Sequence, residues 1–575
     1  MKKIGLLAVL CSLFLAASAQ KDAPKWMNKQ KKAVFSVVTY SHDGARLGSG
    51  TGFFVTETGE ALSGYSLFKG AYKAVITDID GNEWPVASVL GANELYDVVR
   101  FKVNVPKKVT SLPVANEPLP EGTAAYLLPY SVGKVIPFKQ GTITETSKVE
   151  GDFGYYKLDF PLESNQKNAP VLTPSGEVFG LAQEDATGRA GVSYAMSAGF
   201  TAHIEIAPTD AFNSTYSSIG IRKGWPKELE QATVALFLLT NREDAPTHSE
   251  TLNDFIATFP DAPDGYLSRA SHYAYNRSVL ADTPAGQNRY LDLAMADMEA
   301  AAKRSDKKSD VLYNQAKLIF GVAAADTTLN NPAWSVDAAL QALDLAIAEE
   351  SLPVYHQLKG DILYYRQQYA EAFDEYSQVN ASDMASPQTY YWAAKSKAAI
   401  PGTQLTEIIA LLDSAVVKTG NPPTRDAAPY LLERVEYEMQ LGLYPQAIAG
   451  YDLYYKLMDG QVSDAFYFYR EKAKFMSNDL EGALSDIQEA IKLSPDDAAY
   501  YAEAASVNVR MEKYDDALTC IDKAITLAPD FAGCYRLRGV CYLRQKKNPE
   551  ACEALKKGAE LGDPVAAKLL KEHCK

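Results

Sequence analysis

The chain has 575 residues, of which 47% are hydrophobic and 22% charged. That length exceeds what one hydrophobic core organises, so two or more domains are expected, and the composition is that of a globular chain. A net charge of −15 opposes phosphate backbones and anionic lipid, which excludes nucleic-acid and membrane-surface binding as leading readings.

Residues 1–19 read as a secretory signal. Lys2 and Lys3 precede an apolar run from Ile4 to Leu15, and Ala17-Ser18-Ala19 gives the small-x-small pattern of a cleavage site. Cleavage after Ala19 is expected to leave Gln20 as the N-terminus of an exported, periplasmic or secreted protein. Cys11 is not read as a lipidation site, because bulky Leu10 precedes it where a small residue is required. No later stretch approaches eighteen uninterrupted apolar residues, so no membrane span is expected.

Residues 30–210 have an all-β texture. Short apolar runs such as "AVFSVVTY", "TGFFV", "KAVIT" and "VVRFKV" alternate with Gly, Asn and Asp turns at close intervals, the pattern of a sandwich or barrel. The turn-rich segment 211–228 reads as a linker to a helical region spanning 229–575.

An internal repeat governs that second region. Ala483, Ala517 and Ala551 are spaced by 34 residues, as are Leu493, Leu527 and Leu561, and Tyr467, Tyr501 and Tyr535. Ala490, Ala524 and Gly558 keep the same step, and Pro495 and Pro529 each open a Pro-Asp pair that ends a helix. The small residues let paired helices approach closely. The segment "KYDDALTCIDKAITLAPD" resembles the second half of the tetratricopeptide (TPR) motif. Weaker matches run upstream through Ala447, Ala372 and Ala338. The resemblance implies roughly eight to ten helix pairs stacked as a solenoid with a concave binding face, closed by a capping helix in "PVAAKLLKEHCK".

The β region resembles a trypsin-like serine protease domain of the Deg type. "GSGTGFFVTETGEALSGYSLF" (48–68) looks like the strand pair ending in the histidine segment, and "ELYDVVRFKV" like the strand that carries the triad aspartate. "GTITE" from Gly141 resembles the step before the nucleophile loop, "NQKNAPVLTPSGEVFGL" (165–181) the nucleophile loop with its turn and strand, and "VSYAMS" from Val192 the strand lining the specificity pocket. The resemblance implies a double barrel, and it maps the triad slots onto Ser66 (base), Asp97 (orienter) and Lys167 (nucleophile), with Asn168 and Ala169 in place of two glycines.

Those substitutions oppose catalysis. A triad needs an imidazole that accepts the hydroxyl proton and returns it to the leaving group, and losing base or nucleophile costs on the order of a millionfold in turnover in a convergent serine protease. His42 and His203 flank the matched segments and are read as surface residues. A Ser164–Lys167 dyad would need a buried lysine, and nothing in "LESNQKNAP" promises one. Loss of the two glycines is expected to disturb the oxyanion turn, and Asp97 is read as the cap of a turn.

Cys520, Cys534, Cys541, Cys552 and Cys574 fall in the last 56 residues. They are compatible either with helix packing or with a local disulfide in an oxidising compartment. The 35 tyrosines suit either repeat cores or an aromatic groove. No cofactor or metal motif is present. The leading expectation is therefore a non-enzymatic interaction protein that binds a polypeptide partner through the repeats. An active serine-type peptidase with a non-standard site is the alternative, and a glycan-associated envelope protein a weaker third, disfavoured by only five tryptophans.

Overall fold

The computed structural model of the chain describes residues 23–115, 117–185, 191–240 and 242–574. The expected signal segment and its cleavage site lie outside the described residues. The chain divides into two compact units at Arg304/Ser305.

The first unit opens with α1 (Met27–Gln30) and two closed antiparallel barrels of six strands. Barrel one contains β1 (Val34–Tyr40), β2 (Arg46–Phe54), β3 (Glu60–Ser63), β4 (Lys73–Thr77), β5 (Glu83–Asn93) and β6 (Val98–Val103), in the order β1-β2-β3-β6-β5-β4. Barrel two contains β7 (Ala124–Leu127), β8 (Lys139–Lys148), β9 (Gly154–Leu158), β10 (Pro170–Leu172), β11 (Val178–Glu184) and β12 (Ser193–Ser197), in the order β10-β11-β12-β9-β8-β7. Closure leaves neither sheet a free edge. Alternate side chains point inward: Phe35, Val37, Phe54, Ile76 and Phe101 fill barrel one, and Leu127, Ile143, Tyr156, Val171 and Phe179 fill barrel two. A third cluster, with Val34, Phe53, Leu62, Leu128, Leu181 and Met196, seals the barrels against each other.

Residues 211–228 connect this double barrel to the helices, but not as a loose linker. They include α4 (Ser214–Ser217), and Tyr216, Ile219 and Ile221 are buried in the core of barrel one. Gly220 and Ile221 donate to the Ala71 carbonyl, Val89 N–H donates to Arg222 O at 2.8 Å, and Gly224 N–H to Val89 O at 2.8 Å. The chain thus runs parallel to β5 for a short bridge, and its backbone polar groups are satisfied by the barrel. The helices α5 (Leu229–Leu239), α6 (Ala245–Thr258), α7 (Pro263–Leu280) and α8 (Pro284–Ala302) complete the first unit.

The second unit holds fifteen α-helices among the described residues, α9 (Lys308–Ala325) through α23 (Pro564–His573). Helices α17 (Asp464–Met476), α19 (Ala498–Arg510) and α21 (Ala532–Arg544) start 34 residues apart, as do their hairpin partners α18 (Leu480–Leu493), α20 (Tyr514–Leu527) and α22 (Asn548–Glu560). The repeat spacing of the sequence is thus a spacing of helical hairpins. Ala483, Ala517 and Ala551 are fully buried. A Cβ on Gly539 would fall 2.6 Å from Leu555 Cγ, which is why α21 and α22 need a small residue there. Asn478, Glu512 and Lys546, again 34 apart, take φ of +68°, +61° and +61° at the hairpin turns. The tyrosines divide between core and surface: Tyr355 and Tyr376 are buried, whereas Tyr365 and Tyr469 are exposed. Cys552 and Cys574 form a disulfide that ties α23 to α22, and Cys520, Cys534 and Cys541 remain free thiols.

Candidate functional site

The triad slots lie where barrel one meets the loop before β10. Strand β3 ends at Ser63, and Gly64 leads into α2 (Tyr65–Phe68). Tyr65 and Phe68 are buried in the barrel core, which leaves Ser66 between them facing solvent. Asp97, just before β6, has φ +49°, a left-handed conformation that aspartate tolerates better than most residues. Its carboxylate meets α2: Oδ1 accepts from Ser66 N–H at 2.6 Å and Oδ2 from the Ser66 hydroxyl at 3.1 Å. Asp97 is therefore a cap, but of a helix 31 residues upstream rather than of its own turn. The slots of base and orienter are in direct contact, with a hydroxyl where the resemblance places an imidazole. A serine hydroxyl does not itself accept a proton near neutral pH, and both oxygens of the Asp97 carboxylate are engaged by Ser66.

Lys167 follows a 3-10 turn, Ser164–Gln166, whose buried Gln166 accepts Glu163 N–H on its side-chain oxygen at 3.0 Å. The Lys167 side chain is exposed, and its Nζ lies 2.7 Å from Glu184 Oε2 at the end of β11. A lysine serves as a base when burial desolvates it; this one is exposed and ion-paired, and Ser164 beside it is exposed too.

The turn after Lys167 contains a left-handed residue. Asn168 takes φ +61° and donates its N–H to Ala182 O at 2.8 Å. Asparagine is among the few residues besides glycine that enter the left-handed region readily, which lets Asn168 occupy this position. The Asn168 side chain fills the space over Gly64, where an added Cβ would sit 2.4 Å from Nδ2.

Sequence reasoning missed the aromatic plug beside the slots. Strand β12 runs directly into α3 (Ala198–His203), N-capped by Ser197, whose hydroxyl accepts Phe200 N–H at 3.2 Å. Phe200 packs edge-on against Tyr96 at 5.4 Å and Phe153 at 5.8 Å, in the cluster shared by both barrels. Gln183 holds the plug by donating to Tyr96 O at 2.7 Å and accepting from the Tyr155 hydroxyl at 3.2 Å. Burial pushes the Tyr155 pKa up, which keeps that hydroxyl a donor. The two histidines are occupied elsewhere: His42 packs edge-on against Tyr72, and His203 Nδ1 donates to Gly199 O at 2.7 Å. Among the described residues no group of His, Cys, Asp and Glu is arranged to hold a metal ion, and no helix is long and apolar enough to cross a membrane.

Two six-stranded barrels with Ser66, Asp97 and Lys167 at their junction define the class of the first domain as a trypsin-like double barrel. In agreement, residues 50–181 match the family described as the trypsin-like peptidase domain, from within β2 to within β11. No curated protein matches the chain.

Proposed function

We propose that the protein is an exported interaction scaffold: a trypsin-like domain that does not cleave, joined to tetratricopeptide-type repeats that hold a polypeptide partner. The observation that carries the first half is the Ser66–Asp97 pair, in which both carboxylate oxygens are engaged by a residue with no basic nitrogen. The exposed Lys167–Glu184 ion pair in the nucleophile slot supports the same reading. For the second half, the support is the hairpin array of 34-residue period, an architecture whose stacked pairs offer broad surfaces to extended peptides. Export follows from the reading of residues 1–19.

The test compares the mature chain with a chain ending at Arg304, the boundary between compact units. A cut near 215 would instead strip Tyr216, Ile219 and Ile221 from barrel one. Neither protein is expected to cleave unfolded casein, and an envelope partner captured by the mature chain should be lost from the truncated one. Casein turnover, or equal capture by both proteins, would refute the corresponding half of the proposal.

A further inference from the structure

Between the segment 206–226 and helices α5 and α6 lies a cavity of about 430 Å3, toward the small end of the roughly 300–1,000 Å3 typical of ligand pockets. Its walls are mainly apolar, with Ile206, Tyr216 and Ile221 on the barrel side, Trp225 between, and Ala235 and Leu239 from α5. The walls are well fixed. Lys223 is bridged through its backbone to Val89, and Trp225 packs edge-on against Phe255 at 5.1 Å while donating its indole N–H to Asp254 at 2.7 Å.

Into this cavity the chain places Lys223. Its amine donates to the Ile219 carbonyl and, among the described residues, forms no ion pair. Burial alone pushes its pKa down to about 8, without a carboxylate close enough to oppose the shift. Of the acidic groups that line or flank the cavity, Glu250 is exposed to solvent on α6 and three others are committed to other partners. Asp210 accepts Ala207 N–H at 2.7 Å, Glu243 engages His248 at 2.9 Å and Thr251 at 3.0 Å, and Asp254 pairs with Arg222. An ammonium has three donors, and the Ile219 carbonyl accounts for one. A desolvated cation facing apolar walls is costly unless an anion completes it.

We propose that this cavity is a binding site for a small carboxylate with an apolar tail, the carboxylate pairing with Lys223 and the tail lying against Tyr216, Trp225 and Leu239. The same chemistry is offered by a free aliphatic or aromatic acid and by the C-terminal residue of a peptide. The site is independent of the triad slots and of the function proposed above.

Calorimetric titration of the mature chain at pH 7 decides it. The probes are hexanoate and 3-phenylpropionate, the matching alcohols, and a short peptide ending in leucine with its C-terminus free or amidated. The acid or the free peptide should bind at least tenfold tighter than its neutral counterpart, and the tighter of the two identifies the source. At pH 8.5, binding should take up protons as the amine becomes the ammonium. Lys223→Met should abolish the difference between acid and alcohol, and Ala235→Leu, which fills the cavity, should weaken both. Equal binding of acids and alcohols, no heat from any probe at millimolar concentration, or unchanged acid binding by Lys223→Met would overturn the proposal. If Lys223→Met does not fold, the contrast between acid and alcohol on the unaltered chain decides alone.

Discussion

The inter-barrel cleft and the helical repeats persist by opposite means. In the repeats, side chains set the structure: Ala483, Ala517 and Ala551 recur because two helices meet over each of them, and a larger residue would push the pair apart. In the cleft, polar contacts to backbone groups and short side chains set the structure. Asn168 takes a left-handed turn, Asp97 lies against α2, and the bonds from Asn168 N–H to Ala182 O and from Ala182 N–H to Ala169 O hold the loop against β11. The cleft is thus held by a few polar contacts between residues distant in sequence, whereas the repeats are held by a restriction on residue size that recurs along it.

The largest expected effect tests where the barrel ends. Tyr216 is 3% exposed, and its oxygen accepts the Ala92 N–H at 3.0 Å. Tyr216→Ala should destabilise the first unit by about 3–5 kcal/mol, the usual cost of emptying a large aromatic site, measured by denaturant unfolding. A change under about 0.5 kcal/mol would return 211–228 to the status of a linker.

Next comes a carboxyl group hidden in the repeats. Glu471 on α17 is 1% exposed, both its carboxyl oxygens lack hydrogen-bond partners, and burial pushes its pKa up to about 8. Because the folded-state value lies above the unfolded one, near 4.5, the group's contribution is fully present below pH 4.5 and is lost as pH rises through 8. At 1.36 kcal/mol per pH unit, the second unit should lose on the order of 3–4 kcal/mol between pH 5 and 8. Glu471→Gln should remove that slope, and an unchanged slope would show that the carboxyl is solvated.

A somewhat smaller effect concerns the end of the array. Opening Cys552–Cys574, which closes a span of 22 residues, should cost about 2–4 kcal/mol at the last hairpin. Hydrogen exchange localised to α22 and α23 would report it, and loss of protection throughout the unit would contradict a local role. The smallest effect sharpens the comparison itself. Glu512→Gly, at φ +61°, should raise stability by about 0.5–1 kcal/mol by relieving the left-handed strain. A loss of stability would mean the Glu512 side chain contributes more than its backbone strain costs.

The legibility of the two regions in the sequence follows the same division. The repeat spacing was readable because close helix packing restricts residue size at fixed intervals, so structure writes itself into composition. An all-β region, sandwich or barrel, was readable from alternation, and the double barrel and the three slots only through the resemblance to the trypsin-like family. The Ser66–Asp97 contact, the packing of 211–228 on β5 and the Phe200 plug were not readable, since each joins residues distant in sequence through backbone groups or edge contacts. Glu471 looks like a surface residue within "YREKAKF", and its burial emerges only when α17 is packed. Among the five cysteines of the last 56 residues, composition could not select the pair that the α22–α23 hairpin brings together.

The central claim is that the cleft keeps the outline without the chemistry. Intact-mass measurement of the mature chain after prolonged exposure to a fluorophosphonate tests it most directly. The expected result is no adduct at any residue, Ser66 and Ser164 included. A stoichiometric adduct abolished by Ser164→Ala or Ser66→Ala would show an activated hydroxyl in the cleft and contradict the account.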